Sequence, residues 1–374
     1  MEILKKIRSV AVEHAGKFHS KGFTLLFKML REELDDAYFS MVETYLNELK
    51  FRNGVLISAE LGKNNQGVHY VLCKSENKKK HWLKWHFAPS FSIHPRDDSG
   101  SIDLSKRIDR AINLATNAIA QSAEHVLGFF VMLQTELAFY IGCLNLYEQL
   151  SAKGEPVCFP LPFDCHERRH SAKGLYDISL ALILQEKVVG NQLNADNKDL
   201  VIITGANQGG KSTFLRSIGQ AQLMMQCGMF VAAESFGANI CNGIFTHFNK
   251  EEDTTMKSGK LDEELARMSN IADHIRSNSI ILFNESFSAT NEREGSEIGR
   301  QIVRALLEKN IKIFFVTHLY DFSRSFYEQR MKNAVFLRAE READGQRTFQ
   351  LVEGEPLQTG HGEDLYYRIF KTGI

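Results

Sequence analysis

The chain has 374 residues, 43% of them hydrophobic and 24% charged, with a formal net charge of −1. This is the composition of a soluble globular protein long enough for two or three domains, without internal repeats or a low-complexity tail. The near-zero charge excludes a global basic field, so any contact with nucleic acid has to come from local patches.

The start, Met1-Glu2-Ile3-Leu4-Lys5-Lys6, is amphipathic rather than a basic stub before an apolar block, so no signal peptide is expected. From Leu25 onward apolar residues recur at helical spacing: Leu25, Leu26, Met29, Leu30 and Leu34, then Tyr38, Met41, Val42, Tyr45, Leu46 and Leu49. This predicts one long amphipathic pattern. A hairpin interrupts it, with Val55–Glu60 and Val68–Leu72 flanking the turn-like Gly62–Gly67.

Lys74, Lys78, Lys79, Lys80, His81, Lys84 and His86 then interleave with Trp82 and Trp85. Such a segment either contacts a nucleic-acid backbone through Lys78, Lys79, Lys80 and Lys84, or is a solvated loop anchored by its tryptophans. Helical periodicity resumes from Ile102 to about Glu148. Its most hydrophobic part, Val126 to Leu146, is interrupted by Gln134, Glu136 and Asn145, and reads as a buried helix rather than a membrane span. Long helices with a small β insertion suggest an extended lever.

Three of the six prolines, Pro156, Pro160 and Pro162, mark a connection. The expected division is a helical domain over 1–155 and an α/β domain over 156–374. Cys165-His166-Glu167-Arg168-Arg169-His170 has no matching second ligand cluster, so no metal is expected there; its His and Arg residues are expected to line the domain junction. The six cysteines include no C-x-x-C pair, which reads as reduced thiols in the cytoplasm.

Beyond this point strands alternate with helices. Candidate strands are 201–204, 244–248, 280–283, 313–316, 334–337 and 348–352; candidate helices are 212–227, 261–277, 293–309 and 319–329. The alternation predicts a mostly parallel α/β sheet with a late antiparallel edge.

The first strand, Leu200-Val201-Ile202-Ile203, runs into Gly205-Ala206-Asn207-Gln208-Gly209-Gly210-Lys211-Ser212-Thr213. This is the G-x-x-x-x-G-K-[ST] pattern in its strand-to-helix setting. The chemistry needs that order. The glycines let backbone N–H groups turn inward around phosphate oxygens, Lys211 supplies a point charge for the β- and γ-phosphates, and the Ser212 hydroxyl can ligate Mg²⁺.

Ile280-Ile281-Leu282-Phe283-Asn284-Glu285 is the expected acidic partner strand. Glu285 stands where a carboxylate orients the attacking water. Asn284 occupies the position of a metal-holding Asp and offers a neutral carbonyl oxygen instead, consistent with slow hydrolysis or with nucleotide binding alone. His318, after Phe314-Phe315-Val316-Thr317, is placed to sense the γ-phosphate. Ser258-Gly259 before Lys260 forms either an anion-binding nest or a solvated loop with an N-capped helix.

Together these elements resemble the MutS family of mismatch-repair ATPases, a branch of the ABC-type ATPases. The resemblance rests on Thr204–Thr213, Gly228–Glu234, Ile244-Phe245-Thr246, Asn284-Glu285-Ser286 through Gly295, and Thr317-His318. It is specific over 176 to about 325, and the helical half looks like the family's lever and clamp. The chain departs from the family in four ways. Its length leads to the expectation that the N-terminal mismatch-reading domains are lacking. Leu261-Asp262-Glu263 replaces the signature Ser-Thr-Phe, Val188 stands where an adenine-stacking Phe is usual, and Asn284 replaces Asp.

The resemblance implies an ABC-type P-loop ATPase domain joined to a helical lever. It implies ATP and Mg²⁺ as ligands, DNA as partner, and a homodimer whose ATP sites are composite, each completed by the other subunit's Ser258-Gly259 loop. The expected function is ATP-driven opening and closing of a clamp on DNA, in mismatch repair or recombination. The alternatives are an ABC-type ATPase acting on RNA or ribonucleoprotein, and a nucleotide-gated scaffold without catalysis.

Overall fold

The computed structural model describes residues 1–52, 54–73, 90–249, 259–341 and 347–357. The chain forms two compact units, Met1–Gln134 and Thr135–Ile374.

In the first unit, helices α1 (Glu2–His14), α2 (Lys21–Glu33) and α3 (Asp36–Glu48) share a small core of Ala11, Leu30, Leu34 and Phe39. The single pattern expected from Leu25 to Leu49 is two helices. Leu34 leaves the helical region at φ −99° and ψ 47°, and the Asp35 carboxylate caps α3 by accepting from the Tyr38 N–H at 2.7 Å. Apolar spacing continues across the break, so periodicity alone does not reveal it; the capping Asp is the signal. The expected hairpin is present, with β1 (Ile57–Leu61) antiparallel to β2 (Gly67–Leu72). Tyr70 of β2 accepts a hydrogen bond from Arg107 of α4 (Asp98–Ala152) at 2.9 Å.

Among the described residues α4 is the one helix long and apolar enough to cross a membrane by length and composition. The expectation that its apolar stretch is buried does not hold: none of its most apolar 18-residue stretch is buried. Along the whole helix only Ala111 and Leu150 are fully covered. The apolar residues lie on several faces, and a helical period does not say what covers them.

In the second unit the main sheet has the order β12-β11-β6-β10-β9-β8. Its strands are β6 (Leu200–Thr204), β8 (Ile244–Phe248), β9 (Ile280–Asn284), β10 (Lys312–Val316), β11 (Ala334–Arg341) and β12 (Arg347–Glu353). All neighbours are parallel except β11 and β12, which form the antiparallel edge that the alternation predicts. A second sheet, β3 (Leu161–Phe163), β7 (Ser235–Asn239), β4 (His170–Leu175) and β5 (Asn191–Asn194), is not announced by the sequence pattern.

The central strands β6, β9 and β10 are buried on both faces, because they are apolar at consecutive positions and side chains alternate in direction. Val201, Ile203, Leu282 and Val316 join one core with α6 (Lys211–Gln226). Leu200, Ile202, Ile281, Phe283 and Phe315 join another with α7 (Lys260–His274), α8 (Glu292–Glu308) and α9 (Tyr320–Glu328). A short helix, α5 (Ile178–Ile183), is capped by Asp177. The parallel strands β6, β9 and β10 end at Thr204, Asn284 and Val316, along the edge where open α/β sheets hold ligands.

Candidate functional site

The loop from Gly205 to Gly210 leaves the end of β6 and enters α6. Gly205 (φ 117°) and Gly210 (φ 86°) take conformations that favour glycine, and the loop is pressed against β11. A Cβ on Gly205 would lie 2.9 Å from the Ala339 nitrogen, and one on Gly209 would lie 2.8 Å from the Ala339 Cβ. Ala206 is half-buried, while Asn207 and Gln208 are exposed. The Gln208 side-chain oxygen accepts from Arg347 of β12 at 2.7 Å.

Lys211 is buried beneath this loop. Its Nζ donates to the carbonyls of Gly205 at 2.7 Å and Ala206 at 2.9 Å. Burial lowers its pKa, and the charge of Glu285 acts in the opposite direction. No side chain caps α6, so its first N–H groups face the loop without a partner from a capping residue. That leaves a built-in preference for an anion at this point.

The end of β9 meets the start of α6. Ser212 Oγ donates to Asn284 Oδ1 at 2.8 Å. Glu285 follows with φ 51°, its N–H donating to the Val316 carbonyl at 2.8 Å. Ser288 Oγ closes the turn on the Glu285 carbonyl at 2.7 Å. A non-glycine residue held in the left-handed region costs on the order of 1 kcal/mol and persists only where its surroundings fix it.

Here the surroundings are explicit. Phe287 (φ 63°) is fully buried, and Gly295 of α8 lies against its carbonyl so closely that a Cβ would sit 2.2 Å from the oxygen. His318 is exposed, next to Thr317, whose N–H donates to the Ile203 carbonyl at 3.1 Å. It therefore stands on the same sheet edge as the loop.

The structure thus brings residues 205–213, Asn284, Glu285 and His318 to one edge. Gly259 is the exposed N-cap of α7, with Asp262 and Glu263 in the first turn where negative charge suits the helix end. Ser258, Lys78, Lys79, Lys80 and Lys84 lie outside the described residues.

Beside the loop is a cavity of about 550 Å³ lined by Tyr176, Val188, Gly210, Thr213, Phe214 and Phe349, among others. Its apolar walls and its place next to the anion-favouring loop suit a flat heterocycle joined to phosphates. Val188, the residue in the expected stacking position, does line it, but so does an aromatic ring that sequence reading missed. Phe349 of β12 is half-exposed at the cavity. Asn191 fixes that strand: its Nδ2 donates to the Phe349 carbonyl at 3.1 Å and its Oδ1 accepts from the Leu351 N–H at 2.7 Å. No local motif announces Phe349, because it lies in an edge strand more than a hundred residues after the loop.

The segment 165–170 packs within the second unit. Arg168 pairs with Asp199, Arg169 pairs with Asp196, and His170 is buried against Phe236 and Phe314. These residues therefore tie together segments of the second unit. Asp164, Cys165 and His166 bring ligand-type atoms within 4.8 Å of one another. The Cys165 thiol, however, is raised by desolvation and by the Asp164 charge, which disfavours the thiolate that a metal requires.

Residues 1–153 match the MutS2 N-terminal domain, and residues 201–362 match MutS domain V. The DNA mismatch repair protein MutS of Clostridium botulinum (strain Alaska E43 / Type E3) is 33% identical over 147 residues, covering 36% of this chain and 16% of the relative. MutS of Streptococcus pneumoniae (strain Hungary19A-6) is 26% identical over 265 residues, covering 70% of this chain and 31% of the relative. The DNA mismatch repair protein HexA of Streptococcus pneumoniae (strain ATCC BAA-255 / R6) is 25% identical over the same length. The chain therefore spans less than a third of these relatives and is similar to the MutS family in both of its halves.

Proposed function

We propose that this chain is a MutS-like, ATP-dependent DNA-binding protein that hydrolyses ATP slowly. The observation that carries this reading is the loop 205–210 with Lys211 buried beneath it and Glu285 just past the end of β9, in a region similar to MutS domain V. In this reading the loop is a P-loop within an ABC-type ATPase domain.

The residues present suit ATP. The heterocycle would take the cavity that Val188 and Phe349 help to line, and the phosphates would take the loop amides and the α6 N-terminus, where Lys211 would exchange two carbonyl contacts for phosphate oxygens. Ser212 and Asn284 already place two neutral oxygens together, a donor type that suits Mg²⁺. Bound there, Mg²⁺ would neutralise charge developing on the phosphates. Glu285 would hold and orient the attacking water, Lys211 and the loop amides would stabilise the transferring phosphoryl group, and His318 would contact the γ-phosphate. Without a carboxylate at 284, metal binding is weakened and turnover is slow.

In this reading residues 1–155 act as a lever and clamp and residues 156–374 as the ATPase domain. Two copies would form composite ATP sites across a dimer, each completed by the partner's Ser258-Gly259 loop. The basic segment around Lys78, Lys79, Lys80 and Lys84 would supply contacts to DNA, and the role would lie in mismatch repair or a related DNA transaction in the cytoplasm. All six cysteines are free, in keeping with a reducing compartment.

A panel of homoduplex, mismatched duplex, four-way junction and RNA, with and without ATP, tests the proposal. ATP-responsive DNA binding with phosphate release supports it. An ATP response restricted to RNA, or binding without any phosphate release, contradicts it.

A further inference from the structure

The proposed mechanism uses Glu285 but not the buried polar cluster directly behind it. His247, on the edge strand β8, is completely buried, and its partner across the β8–β9 ladder is Phe283. Its Nδ1 lies 2.7 Å from the Ser286 hydroxyl, and its Nε2 lies 3.1 Å from the Glu264 carbonyl. Ser286 is the residue immediately after Glu285, and its hydroxyl also lies 2.7 Å from the His247 carbonyl.

Glu264, on α7, is 1% exposed, and its Oε1 accepts from the Phe287 N–H at 3.3 Å. Its other carboxylate oxygen is buried without a hydrogen-bond partner. The His247 ring also stacks on Phe287, with centroids 5.3 Å apart and planes 22° apart. Two consecutive residues of the turn, Ser286 and Phe287, are therefore held by side chains from two other elements.

Burying a His and a Glu is costly unless something specific is gained. Burial lowers the His247 pKa and raises that of Glu264. An apolar pair would cover Phe283 and Phe287 without that cost. What apolar residues would not do is fix the backbone of a turn whose first and third residues, Glu285 and Phe287, sit at positive φ.

We infer that His247 and Glu264 are positioning residues that hold the Ser286-Phe287 turn and thereby set the Glu285 carboxylate, linking the placement of α7 to turnover. Glu264 lies five positions into a helix that begins just after Gly259, so displacement of the α7 N-terminus is felt at the turn directly through the Phe287 hydrogen bond and indirectly through His247. This inference rests on the ATPase reading and adds residues that act through Glu285 without touching nucleotide.

The test compares Glu264→Leu with Glu264→Gln, alone and combined with Glu285→Gln. Gln keeps an acceptor for the Phe287 N–H, and Leu does not. For Glu264→Leu the expected outcome is a kcat lower by about 10- to 100-fold, as for a catalytic group misplaced by about 1 Å, with ATP affinity within about twofold. Glu264→Gln should restore most of the loss. In the Glu285→Gln background Glu264→Leu should cause no further loss, because the group it positions has already been disabled.

Amide hydrogen exchange at Phe287 provides a readout that needs no turnover, and it should accelerate in Glu264→Leu and stay near wild type in Glu264→Gln. Unchanged exchange, a drop in affinity equal to the drop in kcat, or fully additive losses would each overturn the inference. A wild-type protein without ATP turnover would overturn the ATPase reading and the link to turnover with it, while the exchange data would still decide whether α7 holds the turn.

Discussion

Adding one methyl group at Gly295 tests how tightly the Glu285 turn is constrained. A Cβ there would lie 2.2 Å from the Phe287 carbonyl oxygen, whereas ordinary contact begins near 3.4 Å. The obstructing atom belongs to the backbone and cannot rotate away. Relief requires α8 and the turn to separate by about 1.2 Å, and Leu319 Cδ1, 3.6 Å away, limits movement on its own side.

Glu285 is two residues before Phe287, so most of that displacement reaches it. A misplacement near 1 Å costs on the order of 100-fold in rate. Gly295→Ala should therefore lower kcat by about 10- to 100-fold. ATP affinity should stay within about threefold, because the loop and Lys211 are held by β6 and β11 rather than by α8. Steady-state phosphate release, calorimetric ATP titration and a thermal melt on the same preparation decide the matter. Turnover within twofold of wild type, with an unshifted melt, would refute the reasoning.

Three further outcomes follow from other parts of the molecule. Asn284→Asp adds a carboxylate beside the Ser212 hydroxyl and should lower the Mg²⁺ concentration needed for half-maximal hydrolysis; an unmoved metal dependence would show that residue 284 is not near the ion. Replacing Lys78, Lys79 and Lys80 with Ala should weaken DNA binding and flatten its salt dependence by up to about three units of slope, and an unaltered slope would show that these lysines do not contact DNA. Lys312 is buried, and its pKa falls from 10.5 to about 7, chiefly by desolvation. The folded chain then holds fewer protons than the unfolded chain between those values, so stability should rise with pH across that window. Lys312→Met should remove about 1.4 kcal/mol per pH unit of that rise, read from denaturant midpoints; parallel slopes for the two proteins would contradict it.

Much of the main sheet was legible because its strands are uninterrupted apolar runs such as Ile280–Phe283, each followed by a helical period. The loop 205–213 was legible because its chemistry is local in sequence. The second sheet was not. Its strands include Leu161-Pro162-Phe163, Asn191-Gln192-Leu193-Asn194 and Ser235–Asn239, which are short, polar or Pro-containing and carry no readable alternation. The surroundings of α4 were not legible either, since its apolar residues predict burial and none of its most apolar stretch is buried.

At the site, Phe349, His247 and Glu264 escaped notice for a common reason. Each acts through a partner far away in the chain: Asn191 for the strand of Phe349, Ser286 for His247, and Phe287 for Glu264. A polar residue inside an apolar element marks such a position but does not say which backbone it holds. Gly295 was visible only as the end of a family-like stretch; the Phe287 carbonyl supplies its physical reason.

The most direct measurement is calorimetric titration of MgATP into the wild-type chain and Lys211→Ala. Lys211 is buried under the loop with a charge to offer phosphate, and charge-assisted hydrogen bonds of this kind are worth roughly 1.5–3 kcal/mol. One MgATP should bind per wild-type chain, with affinity falling about 10- to 100-fold in Lys211→Ala. Equal affinity in the two proteins, or no binding by either, would show that the loop 205–213 is not a nucleotide site.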